Sequence, residues 1–214
     1  MSALPARFVT FEGIEGVGKT TQVSRLAAAL QARGIAHVLT REPGGTALAE
    51  RIRELLLDAR GEPMPPIAEL LLMFAGRAVH LANHIEPHLQ AGRWVVCDRF
   101  TDATFAYQGG GRRLAADNIR VLETMVQGGR RPDLTLLLDA PVEQALQRAR
   151  QRNAGAAADR FESERVEFFE RVQRAYRARA AMEPYRIVTI DAAQPADAVA
   201  AQILGALAQR SWIL

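Results

Sequence analysis

The segment GIEGVGKT, Gly13 to Thr20, constrains this chain more than any other stretch. It fits G-x-x-x-x-G-K-[ST], follows the β-rich run RFVTFE and opens a helical pattern, so the context that the motif needs is present. Glycines at these positions let successive backbone N–H groups turn inward and cradle phosphate oxygens. The N-terminus of the following helix adds a dipole that favours the same anion. Lys19 is placed to reach the β- and γ-phosphates of a nucleotide, and the Thr20 hydroxyl is placed to face Mg²⁺.

The rest of the chain alternates short apolar runs with longer helical patterns and carries no internal repeat or low-complexity linker, which predicts one α/β domain over residues 1–214 with a parallel sheet covered by helices. Strands are predicted at Arg7–Glu12, Ala36–Arg41, Arg93–Asp98, Leu134–Asp139 and Arg186–Asp191. Each ends at or near a charged residue. Carboxyl ends of parallel strands line the ligand crevice, so Glu12, Arg41, Asp98, Asp139 and Asp191 are expected along one edge. Helices are predicted at Thr20–Arg33, Thr46–Asp58, Ile67–Gln90, Leu114–Gln127, Val142–Arg152, Glu162–Met182 and Pro195–Gln209. The small, arginine-flanked stretch NAGAAADR after Arg152 reads as a lid, over about residues 150–161.

Composition narrows the chemistry. Of 27 basic residues, Lys19 is the only lysine, which leaves 26 arginines. Lysine-based nucleic-acid patches and polybasic membrane anchors are thereby excluded, and a net charge of +3 does not by itself argue for nucleic acid. The lone Cys97 forbids an internal disulfide and fits a reducing compartment. No apolar run reaches the ~18 residues of a membrane span. The expectation is a soluble, cytoplasmic protein.

A P-loop admits a switch GTPase, a motor or transport ATPase, or a small-molecule kinase. Guanine recognition through Asn-Lys-x-Asp needs a second lysine, which the chain lacks. Small size and many arginines favour a kinase. If the acceptor is itself a phosphate monoester, mostly dianionic near neutral pH with a second pKa of ~6, no general base is required. Fixed positive charge around donor, acceptor and transferring group is required instead, and arginine supplies it in planar, bidentate form.

Further segments resemble the thymidylate kinase family: TREPGG (Thr40 to Gly45), LLMFAGR (Leu71 to Arg77), DRF (Asp98 to Phe100), AYQGGGR (Ala106 to Arg112), RPDLTLLLD (Arg131 to Asp139) and the lid region RARQRNAGAAADRFE. They stand in the family's order and cover nearly the whole chain. The resemblance implies the P-loop nucleoside-monophosphate kinase fold with a five-stranded parallel sheet, and the reaction ATP + dTMP → ADP + dTDP, which supplies dTTP for DNA synthesis. It also implies Mg²⁺, ATP as donor, and a homodimer, for which an apolar stripe on Ile67–Gln90 could serve as interface.

Roles carry over position by position as what the resemblance implies. The donor site comprises Gly13, Ile14, Glu15, Gly16, Val17, Gly18, Lys19, Thr20 and Thr21, with Arg148 against the adenine. Glu15 approaches the sugar 3′-hydroxyl of dTMP. Arg99 grips the acceptor phosphate with Arg53 as helper, although Arg53 could instead be a surface arginine paired with Glu50 or Glu54. Asp98 is the Mg²⁺-linked acid, with Asp139 its rival. Phe74 stacks on thymine and Arg77 bonds its edge, the alternative for Phe74 being core packing. Thr104 and Gln108 contact the pyrimidine, Tyr107 crowds the sugar 2′ position, and Glu42-Pro43 forms a cis-peptide turn near the acceptor phosphate. Where some members carry a P-loop arginine, this chain has Gly16. The catalytic arginines are then sought in the lid, among Arg148, Arg150, Arg152 and Arg160, with Arg152 and Arg160 chosen to close over the transferring phosphoryl group.

Three features are expected to be ordinary. His80, His84 and His88 share a helix face, read as a solvated or dimer-facing stripe rather than a metal site. Cys97, in WVVC, is read as a small core residue. The charge-rich helix containing Phe161, Val166, Phe169, Val172 and Tyr176 is read as a surface helix with one buried stripe.

Overall fold

A computed structural model describes residues 5–58, 62–152, 160–161 and 164–213. Five parallel strands form the sheet: β1 (Phe8–Glu12), β2 (His37–Arg41), β3 (Trp94–Asp98), β4 (Leu134–Asp139) and β5 (Ile187–Asp191), in the order β2-β3-β1-β4-β5. The strands are those the sequence predicts, four of them one residue shorter at the start. β1, β3 and β4 are buried almost throughout, as expected of central parallel strands covered on both faces, whereas the edge strands β2 and β5 are only partly buried.

The flanking helices are α1 (Lys19–Ala32), α2 (Ala47–Leu57), α3 (Pro66–His80), α4 (Glu86–Gln90), α5 (Thr101–Thr104), α6 (Ala116–Gln127), α7 (Val142–Arg152), α8 (Val166–Met182) and α9 (Ala196–Ala208). The largest core cluster joins Val9 and Phe11 of β1 to Leu26 of α1, Leu136 of β4, Phe169 of α8 and Ile203 of α9. α1 packs against α9, and α2 packs against α3.

One prediction needs revision. The helix predicted over Ile67–Gln90 is continuous but not uniformly α, because a π turn at Leu81–Ile85 joins α3 to α4. Pro87 gives the reason: it has no amide hydrogen to close an α-turn, and its ring would meet the carbonyl four residues back. The wider turn just before it accommodates both. The segment after DRF is helical as well, with α5 running into a π stretch at Phe105–Gly111 that packs against α8. This packing carries Tyr176 of α8 into the site described below.

Candidate active site

The phosphate loop links β1 to α1, and Lys19 is the first residue of the helix. Ile14 and Val17 anchor the loop in the core, while Thr20 and Thr21 stand exposed on the first turn of α1. The Lys19 ammonium folds back onto the loop, donating to the carbonyls of Gly13 at 3.1 Å and Ile14 at 2.9 Å. Burial, and after it the Arg99 charge, lower its pKa to about 8. Gly16 has φ +78°, and a Cβ there would lie 1.8 Å from the Ala145 carbonyl oxygen. No side chain fits that position, so a P-loop arginine is excluded and the positive charge must come from elsewhere.

Beside the cradle lies a cavity of about 100 Å³. Glu15, Glu42, Pro43, Arg53, Arg77, Arg99, Thr104, Tyr107 and Gln108 all line it, joined by Leu57, Met73, Phe100, Ala103 and Phe161. Every residue expected to bind the acceptor is therefore in its wall except Phe74. That ring is 2% exposed and packs with Leu70, Phe105 and Ile119, with the Arg77 guanidinium 4.8 Å from its centroid. Phe74 thus backs the Arg77 guanidinium, and its neighbour Met73 reaches the wall.

Arg99 spans the cradle and the cavity. Its Nη1 donates to the Gly13 carbonyl at 2.8 Å and to the Tyr176 hydroxyl at 3.2 Å, and its Nη2 donates to Glu15 at 2.9 Å and to the Tyr107 hydroxyl at 3.1 Å. The Tyr107 hydroxyl donates in turn to Glu15 at 2.7 Å. Arg99 sits at φ 72°, in the left-handed region that bulky residues rarely occupy, as strained residues at functional sites often do. Its amide donates to the Phe11 carbonyl, and its own carbonyl accepts from the Cys97 thiol. Cys97 is buried, and burial pushes its thiol pKa well up, as befits a core residue.

Arg53 donates to the Pro43 carbonyl at 2.8 Å, and Glu50 pairs with Arg41 instead. The Glu42-Pro43 bond is cis. Glu42 is buried and accepts from Arg77 Nε at 2.8 Å, while Arg77 Nη2 donates to Thr104 at 3.0 Å. Gln108 donates to Glu69 at 2.6 Å.

Asp98 ends β3 in register with Phe11 and Arg41. Its Oδ1 is buried without a hydrogen-bond partner. Asp139 by contrast is engaged by Gln173 at 2.7 Å and Arg177 at 2.8 Å. Among the described residues no cluster of three or more His, Cys, Asp or Glu could hold a metal alone. A spare carboxylate oxygen and a threonine hydroxyl beside a phosphate cradle still suit Mg²⁺, which binds through few protein ligands plus substrate phosphates and water. Of the strand-end residues expected along the ligand edge, Glu12 is wholly buried, accepting from the Phe100 amide and the Tyr176 hydroxyl, each at 2.7 Å. Asp191 caps its own turn at the Ala193 amide and lies exposed.

The lid falls partly outside the described residues, at 153–159 and 162–163. Arg148 donates to the Ala192 carbonyl at 3.1 Å, and Arg152 ends α7 on an exposed face. Arg160 is engaged by α2 and α3: Nε donates to the Leu56 carbonyl at 3.0 Å, and the guanidinium pairs with Glu69 at 2.7 Å. Glu69, Tyr176 and His80 are the site's unanticipated members. Glu69 and His80 are fully buried, and the Tyr176 ring is almost so. His80 is no part of a solvated stripe. The one sequence signal for Tyr176 was its place in a buried stripe, where a phenol needs a polar partner.

A phosphate loop between β1 and α1, set on a five-stranded parallel sheet with a cavity beside it, gives the fold of P-loop nucleoside-monophosphate kinases. A sequence model of the family described as thymidylate kinase matches residues 11–203. A thymidylate kinase of Chromohalobacter salexigens is 58% identical over 211 residues, covering 97% of this chain and 99% of that protein. One of Alkalilimnicola ehrlichii is 56% identical over 202 residues, covering 94% and 92%. The crystal structure of thymidylate kinase from Ehrlichia chaffeensis aligns with a TM-score of 0.74 at 32% identity, covering 95% of this chain and 99% of that one. The chain belongs to the thymidylate kinase family, the ATP-dependent enzymes that phosphorylate dTMP to dTDP.

Proposed function

We propose that this phosphorylation takes place where the cradle meets the cavity, by direct in-line transfer without a covalent enzyme intermediate. A phosphate oxygen of dTMP attacks the γ-phosphorus of ATP. The bond to the β–γ bridging oxygen breaks, and the bond's electron pair leaves with ADP. The dTMP phosphate is already mostly dianionic, so no residue need take a proton. The observation that carries this reading is Arg99, which bonds the cradle at Gly13 and lines the acceptor cavity with the same guanidinium.

Lys19 then exchanges its loop carbonyls for the β- and γ-phosphates, and the loop amides hold the donor. Arg99 and Arg53 take the acceptor phosphate, Glu15 the sugar, and Arg77, Thr104 and Gln108 the base. Thr20 and Asp98, the latter through water, are the residues to hold Mg²⁺, which when bound neutralises charge on the phosphate oxygens. Arg152 and Arg160 are the lid candidates for the transferring group, and Arg160 must exchange Glu69 for phosphate to serve. Gly16 supports this assignment, since its position admits no side chain.

We place the enzyme in the cytoplasm, in keeping with the one unpaired cysteine, Cys97. No described helix is long and apolar enough to cross a membrane. A homodimer is favoured by the apolar side chains exposed on α2 and α3: Leu48, Leu55, Ile67 and Leu71.

Kinetics of Lys19→Ala and Arg99→Ala, with each substrate varied in turn, test the mechanism. Each should lower kcat/KM by about 10²-fold or more. Intact turnover in Lys19→Ala would overturn it.

A further inference from the structure

We propose that His80 is a positioning residue for base recognition: it fixes the Glu42 carboxylate, and through it holds Arg77 with one guanidinium nitrogen reserved for the pyrimidine. The inference rests on the cavity being the dTMP site, and assigns its selectivity against cytosine to a residue outside the wall.

His80 lies on α3 one turn after Arg77 and is fully buried. Its Nδ1 stands 3.0 Å from Glu42 Oε1, and its Nε2 stands 2.7 Å from the Thr40 hydroxyl. The carboxylate oxygen is the acceptor, so Nδ1 carries the hydrogen, and Nε2 accepts a hydrogen bond from the Thr40 hydroxyl. A Cβ at Gly45, where φ is +91°, would lie 2.4 Å from His80 Nε2 and 2.6 Å from Thr40 Oγ1. The glycine of the PGG turn therefore leaves room for this contact.

The consequence falls on Arg77. Glu42 Oε2 takes Nε at 2.8 Å, Thr104 takes Nη2 at 3.0 Å, and the Phe74 and Phe100 rings hold the guanidinium carbon at 4.8 and 5.0 Å. A planar fork fixed at two nitrogens cannot turn. The third nitrogen, Nη1, is buried and has no hydrogen-bond partner, on a side chain that lines the cavity. It offers N–H donors only. Thymine presents a carbonyl acceptor at C4, whereas cytosine presents an amino donor there. The preset donor accepts the first and meets the second with two donors face to face. Without the His80 hydrogen bond, Glu42 can rotate and Arg77 can re-aim its fork.

The test is the ratio of kcat/KM for dTMP to that for dCMP. In His80→Gln, whose amide sits nearer the Nε2 position, the ratio should fall about tenfold or more, with a raised KM for dTMP and an unaltered KM for ATP. In His80→Asn, whose amide nitrogen stands near Nδ1 and can still donate to Glu42, the ratio should stay close to wild type. Loss of folding alone would lower activity on both substrates and leave the ratio intact. Glu42→Gln, which loses one of the two charge-assisted acceptors, should lower the ratio as well and replaces His80→Gln if that variant does not fold. An unchanged ratio in the folded variants, or an equal fall in His80→Asn and His80→Gln, overturns the assignment of His80. A wild-type enzyme with no preference for dTMP over dCMP would instead overturn the reading of the cavity itself.

Discussion

Arg99 donates to Glu15 across 2.9 Å, although the two stand 84 positions apart, one just past β3 and the other inside the phosphate loop. The pair is nearly buried, at 15% and 17% side-chain exposure. It couples Arg99 to the phosphate loop, and in the proposed mechanism an incoming phosphate monoester must compete with Glu15 for the same guanidinium.

That competition is a matter of geometry as well as charge. Arg99 makes four hydrogen bonds through its two Nη atoms. Lysine keeps the charge but offers no planar fork. Arg99→Lys should therefore lower kcat/KM for dTMP by roughly 10²-fold while shifting KM for ATP only slightly. Steady-state kinetics with each substrate varied in turn will show it.

Lys19 predicts a proton linkage. Burial, followed by the Arg99 charge, brings its pKa to about 8 in the unliganded protein. Bound phosphates favour the ammonium and raise that value. ATP binding should then take up a proton above pH 8 and none attributable to Lys19 near pH 6.5. Calorimetry at pH 8.5 in two buffers of different ionisation enthalpy measures the uptake. Equal apparent enthalpies, after correction for the nucleotide itself, would count against the link.

All five strands and the phosphate loop were legible in the sequence, because their signals are local. A glycine-rich loop between a strand and a helix, and β-rich runs ending in charge, need only a few neighbouring residues to be read. The grouping of Glu15, Arg53, Arg77, Arg99 and Tyr107 was legible too: all five line one cavity. What escaped depends on distant partners. Tyr176 meets Glu12 across 164 positions, and Gln108 meets Glu69 across 39, and neither pairing leaves a periodic trace. His80 looked like part of a surface stripe because regular spacing with His84 and His88 shows a shared face but not its depth. His84 and His88 do stack edge to face at 4.5 Å, yet only His80 is wholly buried.

Glu12 makes stability pH-dependent. Burial first, then the charge of Asp102, raises its pKa from 4.5 to about 8, against the lowering influence of Arg99 and of the Tyr176 and Phe100 hydrogen bonds. Between those values the native state holds a proton that the unfolded chain has released. The stabilisation is full below about pH 4.5 and is lost as pH rises through 8. Glu12→Gln removes this titration. Urea midpoints at pH 5.5 and 7.5 should fall more for the wild type than for Glu12→Gln.

Asp102 tethers α5 to α8 and to the residue before β5. It accepts from Arg179 at 2.9 Å and from Arg186 at 2.7 Å, and it is 2% exposed. Burial pushes its pKa up, but the two guanidiniums outweigh burial and hold it below the ordinary carboxylate value. Asp102→Ala leaves Arg179 and Arg186 to share Glu183, with their bonds to Asp102 unmade, and should destabilise the fold by about 1–3 kcal/mol, read by urea denaturation.

The central claim concerns the acceptor, and one comparison of rates tests it. ADP release should be measured with ATP and Mg²⁺ across dTMP, dUMP, dCMP, dGMP and AMP as acceptors. The site described here predicts the highest kcat/KM for dTMP. A higher value for either purine monophosphate would contradict it.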